Sequence, residues 1–390
     1  MLKLIKDNKK IFLSYLFATG IGDGLFFIGV GKILSTKLNL FLGVSLLFIL
    51  NEVSKLLFQF IFSSIDKKLS MKKAIVFSEI FQSIFLISVV IFSFDIFSSQ
   101  ILILSLIILN FFDGLSKIAE FNLTLKIFSK DDRKKFNSYI TTINQSSRII
   151  GFIIGGLIIN NSRYELLFLL NSFSFLISCL FASLMKVEDT EITVRNSWKE
   201  LLNKENYYIL IYTFLIGTNT IILSSNSILG FNLSVSNTSQ TILYQIANAV
   251  GSTIATLIIS NIFKKMNKNE NKIILLGITL QGILFFFFNL LNEYEKVVVF
   301  ILISTISFIN LSIYITKLQD YAETKFGSKA YPLRQLSRSI LNLFGVTSLT
   351  YLAFTFKINY QTIVSFFCFF VVIINAFLIK NKIITYIVEN

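Results

Sequence analysis

Histidine is absent from the 390 residues, proline and tryptophan occur once each, and cysteine occurs twice. Each shortage closes off a class of chemistry. Without histidine there are no zinc–histidine sites, no Ser-His triads and no histidine proton relays. Cys179 and Cys368 each sit inside a long apolar run, and a thiol there reads as a small core hydrophobe. A single proline leaves helix bending mostly to glycine, and the first apolar run holds Gly20, Gly22, Gly24, Gly29 and Gly31. Charge is also scarce, at 15% against roughly 25% in an ordinary soluble domain. No Gly-Lys-Ser/Thr phosphate loop is present, so ATP is not bound by that device. No metal-ligand set is visible and no cofactor is expected. These shortages exclude a soluble enzyme, a secreted disulfide scaffold and a nucleic-acid-binding domain.

What is abundant is apolar. Hydrophobic residues make up 54% of the chain, phenylalanine alone numbers 43, and the mean hydropathy is +0.71. A membrane-spanning helix needs about 20 mainly apolar residues. Twelve such runs lie near 11–34, 40–62, 74–95, 100–122, 138–159, 164–185, 207–230, 240–262, 272–291, 296–317, 334–356 and 360–380. The first run is too long for a signal-peptide core of about 7–15 residues and carries Asp23, so it reads as a retained span. The longest polar interruption, 186–206, contains the midpoint of the chain. An all-α polytopic membrane protein is therefore expected, with six-helix bundles at 1–185 and 207–390 and a central loop between them. Trp198-Lys199-Glu200-Leu201-Leu202 in that loop reads either as a short amphipathic surface helix or as a solvated linker.

The basic residues orient the spans. With both termini in the cytoplasm, cytoplasmic segments hold 27 of the 36 Lys and Arg, and outer loops hold four. That split follows the positive-inside rule. It accounts for the net charge of +14 without a nucleic-acid partner. Richness in Ile, Lys, Asn and Phe points to an AT-rich genome, and the expected location is a bacterial cytoplasmic membrane.

Local motifs sharpen the reading. After the second span comes Asp66-Lys67-Lys68-Leu69-Ser70-Met71-Lys72-Lys73. A carboxylate among cations at a helix end can latch neighbouring helix ends in one conformer; the alternative is simple positive-inside decoration. The fourth span holds Asn110-Phe111-Phe112-Asp113-Gly114. The fifth holds Gln145-Ser146-Ser147-Arg148-Ile149-Ile150-Gly151-Phe152-Ile153-Ile154-Gly155-Gly156. Small residues four apart let two helices approach closely. Gln145 to Arg148 is echoed by Gln335-Leu336-Ser337-Arg338 on the eleventh span, as two similar halves would produce.

This layout and these motifs resemble the major facilitator superfamily. The stretch from about 110 to 185 resembles its drug-efflux branch, which includes macrolide exporters. Phe62, Asn110 and Phe152 depart from the family's Gly, Arg and Pro. The resemblance implies that Asp66, Lys67, Lys72 and Lys73 form a conformational latch. It implies that Gly151, Gly155 and Gly156 form a seam joining the two halves, with generic helix packing as the plainer alternative. It also implies that helices 1 and 4 line a central cavity, with helices 2 and 5 at its sides.

Charges within the spans mark the candidate site. A charge at mid-bilayer costs at least about 2.5–3.5 kcal/mol on insertion scales, so it faces a cavity or a partner. The first half carries Asp23, Glu52, Lys55, Asp113, Lys117 and Arg148, with Glu79 and Glu120 nearer the cytoplasmic ends. The second half carries little beyond Arg338 and offers amides instead: Asn219, Asn226, Gln245, Asn248, Gln281, Asn289, Asn310 and Asn342. Asp113 with Lys117 and Glu52 with Lys55 share helical faces and can neutralise themselves. Asp23, between Gly22 and Gly24, has no partner in its own helix; Arg148 is similarly alone. Burial favours a neutral carboxylate and a nearby cation favours a charged one, so a carboxylate here can carry a coupling proton. The order of candidates is Asp23, Asp113, Glu52. The alternative for Asp23 is a fixed ion pair with Arg148 or Lys117. The expected function is proton-coupled antiport that exports a lipophilic or amphipathic small molecule, such as a drug, a secondary metabolite or a small peptide. A monomer surrounded by membrane lipids is expected. The rivals are a lipid or peptide flippase on the same fold and a non-transporting sensor or assembly partner.

Overall fold

The computed structural model describes residues 2–38, 40–63, 68–92, 99–128, 130–160, 163–187, 191–193, 238–262, 270–321 and 330–380, with six further residues within 218–225. The first half contains α1 (Leu2–Leu38), α2 (Leu40–Ser63), α3 (Met71–Phe92), α4 (Ser99–Ile127), α5 (Lys130–Asn160) and α6 (Tyr164–Leu184). Residues 218, 220–222 and 224–225 are helical; they fall inside the seventh expected span and mark α7. The second half continues with α8 (Thr238–Ile262), α9 (Glu270–Phe287) running into a 3-10 turn (Phe288–Leu290), α10 (Glu293–Tyr321), α11 (Ala330–Phe356) and α12 (Tyr360–Lys380). Among the described residues, seven helices are long and apolar enough to cross a membrane.

Several helices overrun the expected spans. The first span was expected from residue 11, yet α1 begins at Leu2. Lysines are good helix formers, and no Pro or Gly interrupts residues 2–10, so the helix continues beyond its apolar part. Pro332 lies in the first turn of α11, where its missing N–H costs nothing. Among the described residues, the helices are joined by one short sheet. Lys68–Ser70 and Glu191–Thr193 form a short antiparallel ladder with Lys68 opposite Thr193. It ties the loop after α2 to the segment after α6. Asn8 adds a second tie: it donates to the Lys186 carbonyl at 2.7 Å and accepts from the Lys186 amide at 2.9 Å. The Trp198 segment lies outside the described residues.

Packing explains the glycines of α1. That helix is wedged between α5 and α6. A methyl group at Gly20 or Gly24 would run into Ser147 or the Arg148 backbone of α5; at Gly22 or Gly29 it would meet Ser174 or Leu167 of α6. The glycines permit close approach on two sides, and α1 is one continuous helix. Lipid offers no hydrophobic drive for helix association, so such close contact is what holds the bundle.

The outer surface is apolar, as a bilayer requires. On α12, Phe366, Phe370, Ile373 and Phe377 are exposed, while Val364, Cys368 and Val371 are buried. The exposed set recurs every three or four residues, which is one helical face. Part of the phenylalanine excess is thus a lipid-facing coat. Three apolar clusters form the interior, two in the first half and one in the second. The halves meet where α2 packs on α11 and where α5 packs on α8 and α10. At the end where α1 starts, the near end, Thr142 bonds Thr256, and Asn137 donates to Thr316 at 3.4 Å. Towards the opposite, far end, Phe27 and Phe48 pack against the second-half cluster.

Candidate functional site

Between the halves lies a cavity of about 290 Å³. Its polar wall in the first half carries Asp23 from α1; Asn51, Glu52 and Lys55 from α2; Asn110 and Asp113 from α4; and Gln145 and Arg148 from α5. The second half supplies Thr220, Ser224, Gln245, Asn248 and Arg338. Five of the six lining phenylalanines come from the first: Phe26, Phe27, Phe48, Phe152 and Phe175, with Phe308 opposite.

All three proton-carrier candidates line this cavity. Arg148 Nη2 lies 3.4 Å from Asp23 Oδ2, and the two side chains are 43% and 30% exposed. The pair is half-buried and faces the cavity, so either partner can turn to another group there. Lys117 is closer to Glu120, at 2.9 Å, than to Asp113, at 3.8 Å. The expected i,i+4 pair exists but is the weaker contact.

Glu52 finds hydrogen-bond partners beyond Lys55, the cation on its own helical face. It is 3% exposed. Ser339 of α11 donates to its Oε2 at 2.6 Å and Asn342 to its Oε1 at 3.1 Å. Asn342 also donates to Ser224 at 3.0 Å. Lys55 and Arg338 supply positive charge nearby. Glu52 therefore joins the two halves, a role its own helix gives no hint of, because its partners lie nearly 290 residues away.

Buried polar atoms in the lining lack hydrogen-bond partners: Asn51 Oδ1, Gln245 Nε2, Asn248 Oδ1 and Arg338 Nε. Buried polar groups in proteins are nearly always satisfied. The residues that carry these atoms come from both halves and line one space, among other polar side chains. This donor and acceptor set suits a polar or amphipathic solute.

The sequence matches the Major Facilitator Superfamily over residues 11–346. The chain belongs to the major facilitator superfamily. No curated relative matches it by sequence. The superfamily fold is visible in solved structures at low identity. A D-xylose–proton symporter is similar at 11% identity and TM-score 0.69, over 94% of this chain and 96% of that one. A bacterial homologue of the iron transporter ferroportin, in an outward-facing state, is similar at 15% identity and TM-score 0.65, over 98% and 99%. The fucose:proton symporter of E. coli is similar at 12% identity and TM-score 0.64, over 95% and 98%.

For this member of the superfamily, the echoed tetrapeptides fall on counterpart helices. Arg148 of α5 and Arg338 of α11 both line the cavity. The second-half amides divide. Gln245 and Asn248 face the cavity. Gln281 binds the Ile303 carbonyl at 3.1 Å as well as Ser307, and Asn310 donates to the Ile274 carbonyl at 3.5 Å. Those two amides tie α9 to α10 and leave the cavity alone. Asn289 is exposed, and Asn219 and Asn226 lie outside the described residues.

The glycine seam needs correction. Gly151 abuts the Ile21 carbonyl and Gly24 of α1, and Gly155 abuts Ile28 and Leu25 of α1. Gly156 is buried in the same helix. At Gly151 and Gly155, α5 is joined to α1 inside the first half; the seam does not join the halves. Spacing specifies a close neighbour but not which one. Of the latch, Lys72 and Lys73 open α3, where the Lys73 amide lies 3.5 Å from its Ser70 Oγ acceptor. Asp66 and Lys67 lie outside the described residues. Sequence reasoning noted Glu79 and Glu120 only as charges near the cytoplasmic ends and passed over Tyr15; the fold brings the three together under the cavity. Their one signal was charge or hydroxyl at positions where a span should be apolar.

Proposed function

We propose that this transporter is a secondary active exporter that exchanges protons for a lipophilic or amphipathic small molecule across a bacterial plasma membrane. The halves 1–185 and 207–390 are its moving units, and both termini are cytoplasmic. The observation that carries the reading is the cavity, with its Asp23–Arg148 pair and the polar side chains of both halves around it. Protonating Asp23 removes its charge and releases Arg148 to a solute or to another carboxylate. Losing the proton restores the pair. If access alternates between those two states, each cycle moves one proton one way and one solute the other. The aromatic wall holds the apolar part of the solute while the amides of α8 hold its polar part. Export is the direction that the resemblance of the 110–185 stretch favours.

Proteoliposomes with an imposed proton gradient test this with a panel of fluorescent amphipathic compounds. At least one compound is expected to move uphill against the proton flow and to stop when a protonophore is added. Uphill movement in the same direction as the protons would make the protein a symporter. Movement indifferent to the gradient would make it a flippase or facilitator.

A further inference from the structure

About 12 Å nearer the start of α1 than Asp23, at 1.5 Å per helical residue, a second polar cluster lies outside the cavity lining. The Tyr15 hydroxyl is 2.8 Å from Glu120 Oε1 and 3.2 Å from Glu79 Oε1. Tyr15 is 0% exposed, Glu79 1% and Glu120 9%. Lys117 gives Glu120 two bonds, at 2.9 and 3.0 Å. The second oxygen of Glu79 has no partner.

A proton inventory decides the state of this cluster. A phenol has one proton to donate and lone pairs to accept with. The shorter contact, on the carboxylate that Lys117 holds charged, takes the Tyr15 proton. The Tyr15 oxygen can then only accept from Glu79, which requires a proton on Glu79. The groups facing Glu79 agree, among the described residues. From α1 come Tyr15 and, farther off, Asp23; from α4 come Glu120 and Lys117; from α6 comes the buried Cys179 thiol. The single cation in that set is already shared by Glu120 and Asp113. At neutral pH a charged Glu79 would be a buried anion with no cation of its own, which is strongly unfavourable in a protein interior.

We propose that Tyr15, Glu79 and Glu120 form a one-proton binding site between α1, α3 and α4, with the proton resident on Glu79 and passed to Glu120 through Tyr15. In that transfer the Glu79 O–H bond breaks as the Tyr15 oxygen gains a proton. The original Tyr15 O–H bond breaks as Glu120 gains one. One proton moves from α3 to α4 and Tyr15 is unchanged. Lys117 sets the direction. While it bonds Glu120, the proton stays on Glu79; when it turns to Asp113, Glu120 becomes the better acceptor. Asp113 lines the cavity, so the site senses charge there.

The site stands on its own geometry, and its link to the cavity rests on the transport reading. Infrared spectra of the purified protein in detergent, recorded at neutral and alkaline pH without any solute, test it alone. The parent is expected to show the carbonyl stretch of one protonated carboxylic acid at neutral pH. Glu79→Gln should remove that band and lower proton uptake between the two pH values by one per protein. Tyr15→Phe keeps the ring, leaves the Glu79 proton without its acceptor, and should shift the band to higher frequency. That variant decides the matter if Glu79→Gln does not fold. A band unchanged by Glu79→Gln, or unshifted by Tyr15→Phe, overturns the proposal and leaves the transport reading standing. A failure of transport leaves the band in place.

Discussion

Asp23→Asn is expected to reduce uphill solute movement in proteoliposomes to the level of protein-free vesicles while leaving downhill exchange measurable. The substitution keeps size and much of the hydrogen bonding and removes titration. It also leaves Arg148 without its 3.4 Å partner. Because the guanidinium is 43% exposed to the cavity, water can solvate it, and folded yield should hold. A buried strut would behave otherwise: an uncompensated buried charge costs about 3–5 kcal/mol and would lower the yield. Arg148→Gln should likewise abolish coupling, and the double variant should be no worse than either single one, as for residues acting as a unit. Uphill movement in Asp23→Asn equal to the parent would rule out its coupling role and move the assignment to Asp113.

The second large effect is structural. Gly151→Ala should cost far more folded protein than Gly155→Ala. A methyl group at Gly151 meets backbone on every side: the Ile21 carbonyl, the Leu25 amide nitrogen at 2.8 Å and the Gly24 Cα at 2.9 Å. Backbone in two packed helices cannot step aside, so α1 and α5 must separate. At Gly155 the nearest atom is a side-chain methyl, Ile28 Cγ2 at 2.6 Å, and the nearest backbone atom, the Leu25 carbonyl oxygen, is farther off at 3.3 Å. Overpacking costs typically about 1–3 kcal/mol, and Gly151 belongs at or above the top of that range. Thermal unfolding of the two purified variants measures the difference. Equal midpoints would mean that α1 and α5 are not packed this closely.

The fold was largely legible because a bilayer imposes few solutions: long apolar runs become helices. The cavity was legible for a related reason. Asp23, Asp113, Glu52 and Arg148 stood out against apolar surroundings, and all four line it. Partner identity was not legible. A helical sequence shows which residues share a face, yet it does not show the helix opposite. So Glu52 was matched to Lys55 on its own helix when its hydrogen bonds run to Ser339 and Asn342. Gly151 was matched to a partner across the halves when it touches Gly24. Tyr15 escaped notice because a lone tyrosine in an apolar run looks like filler until Glu79 and Glu120 are seen on either side of its hydroxyl. The three-residue ladder between Lys68–Ser70 and Glu191–Thr193 is too short for a strand pattern to register.

The central claim is that the two halves open alternately about the cavity and that proton binding drives the change. Paired spin labels test it without knowledge of the solute. One pair, at Arg163 and Asn359, spans the halves at the far end, where both positions are exposed. The other, at Lys73 and at Glu270 where α9 begins, spans them at the near end. Distance distributions measured in lipid at acidic and alkaline pH should shift in opposite senses, one pair separating as the other closes. Asp23→Asn should hold both pairs at their acidic distances whatever the pH. Two pairs that stay fixed across the titration, or that lengthen together, would contradict the account.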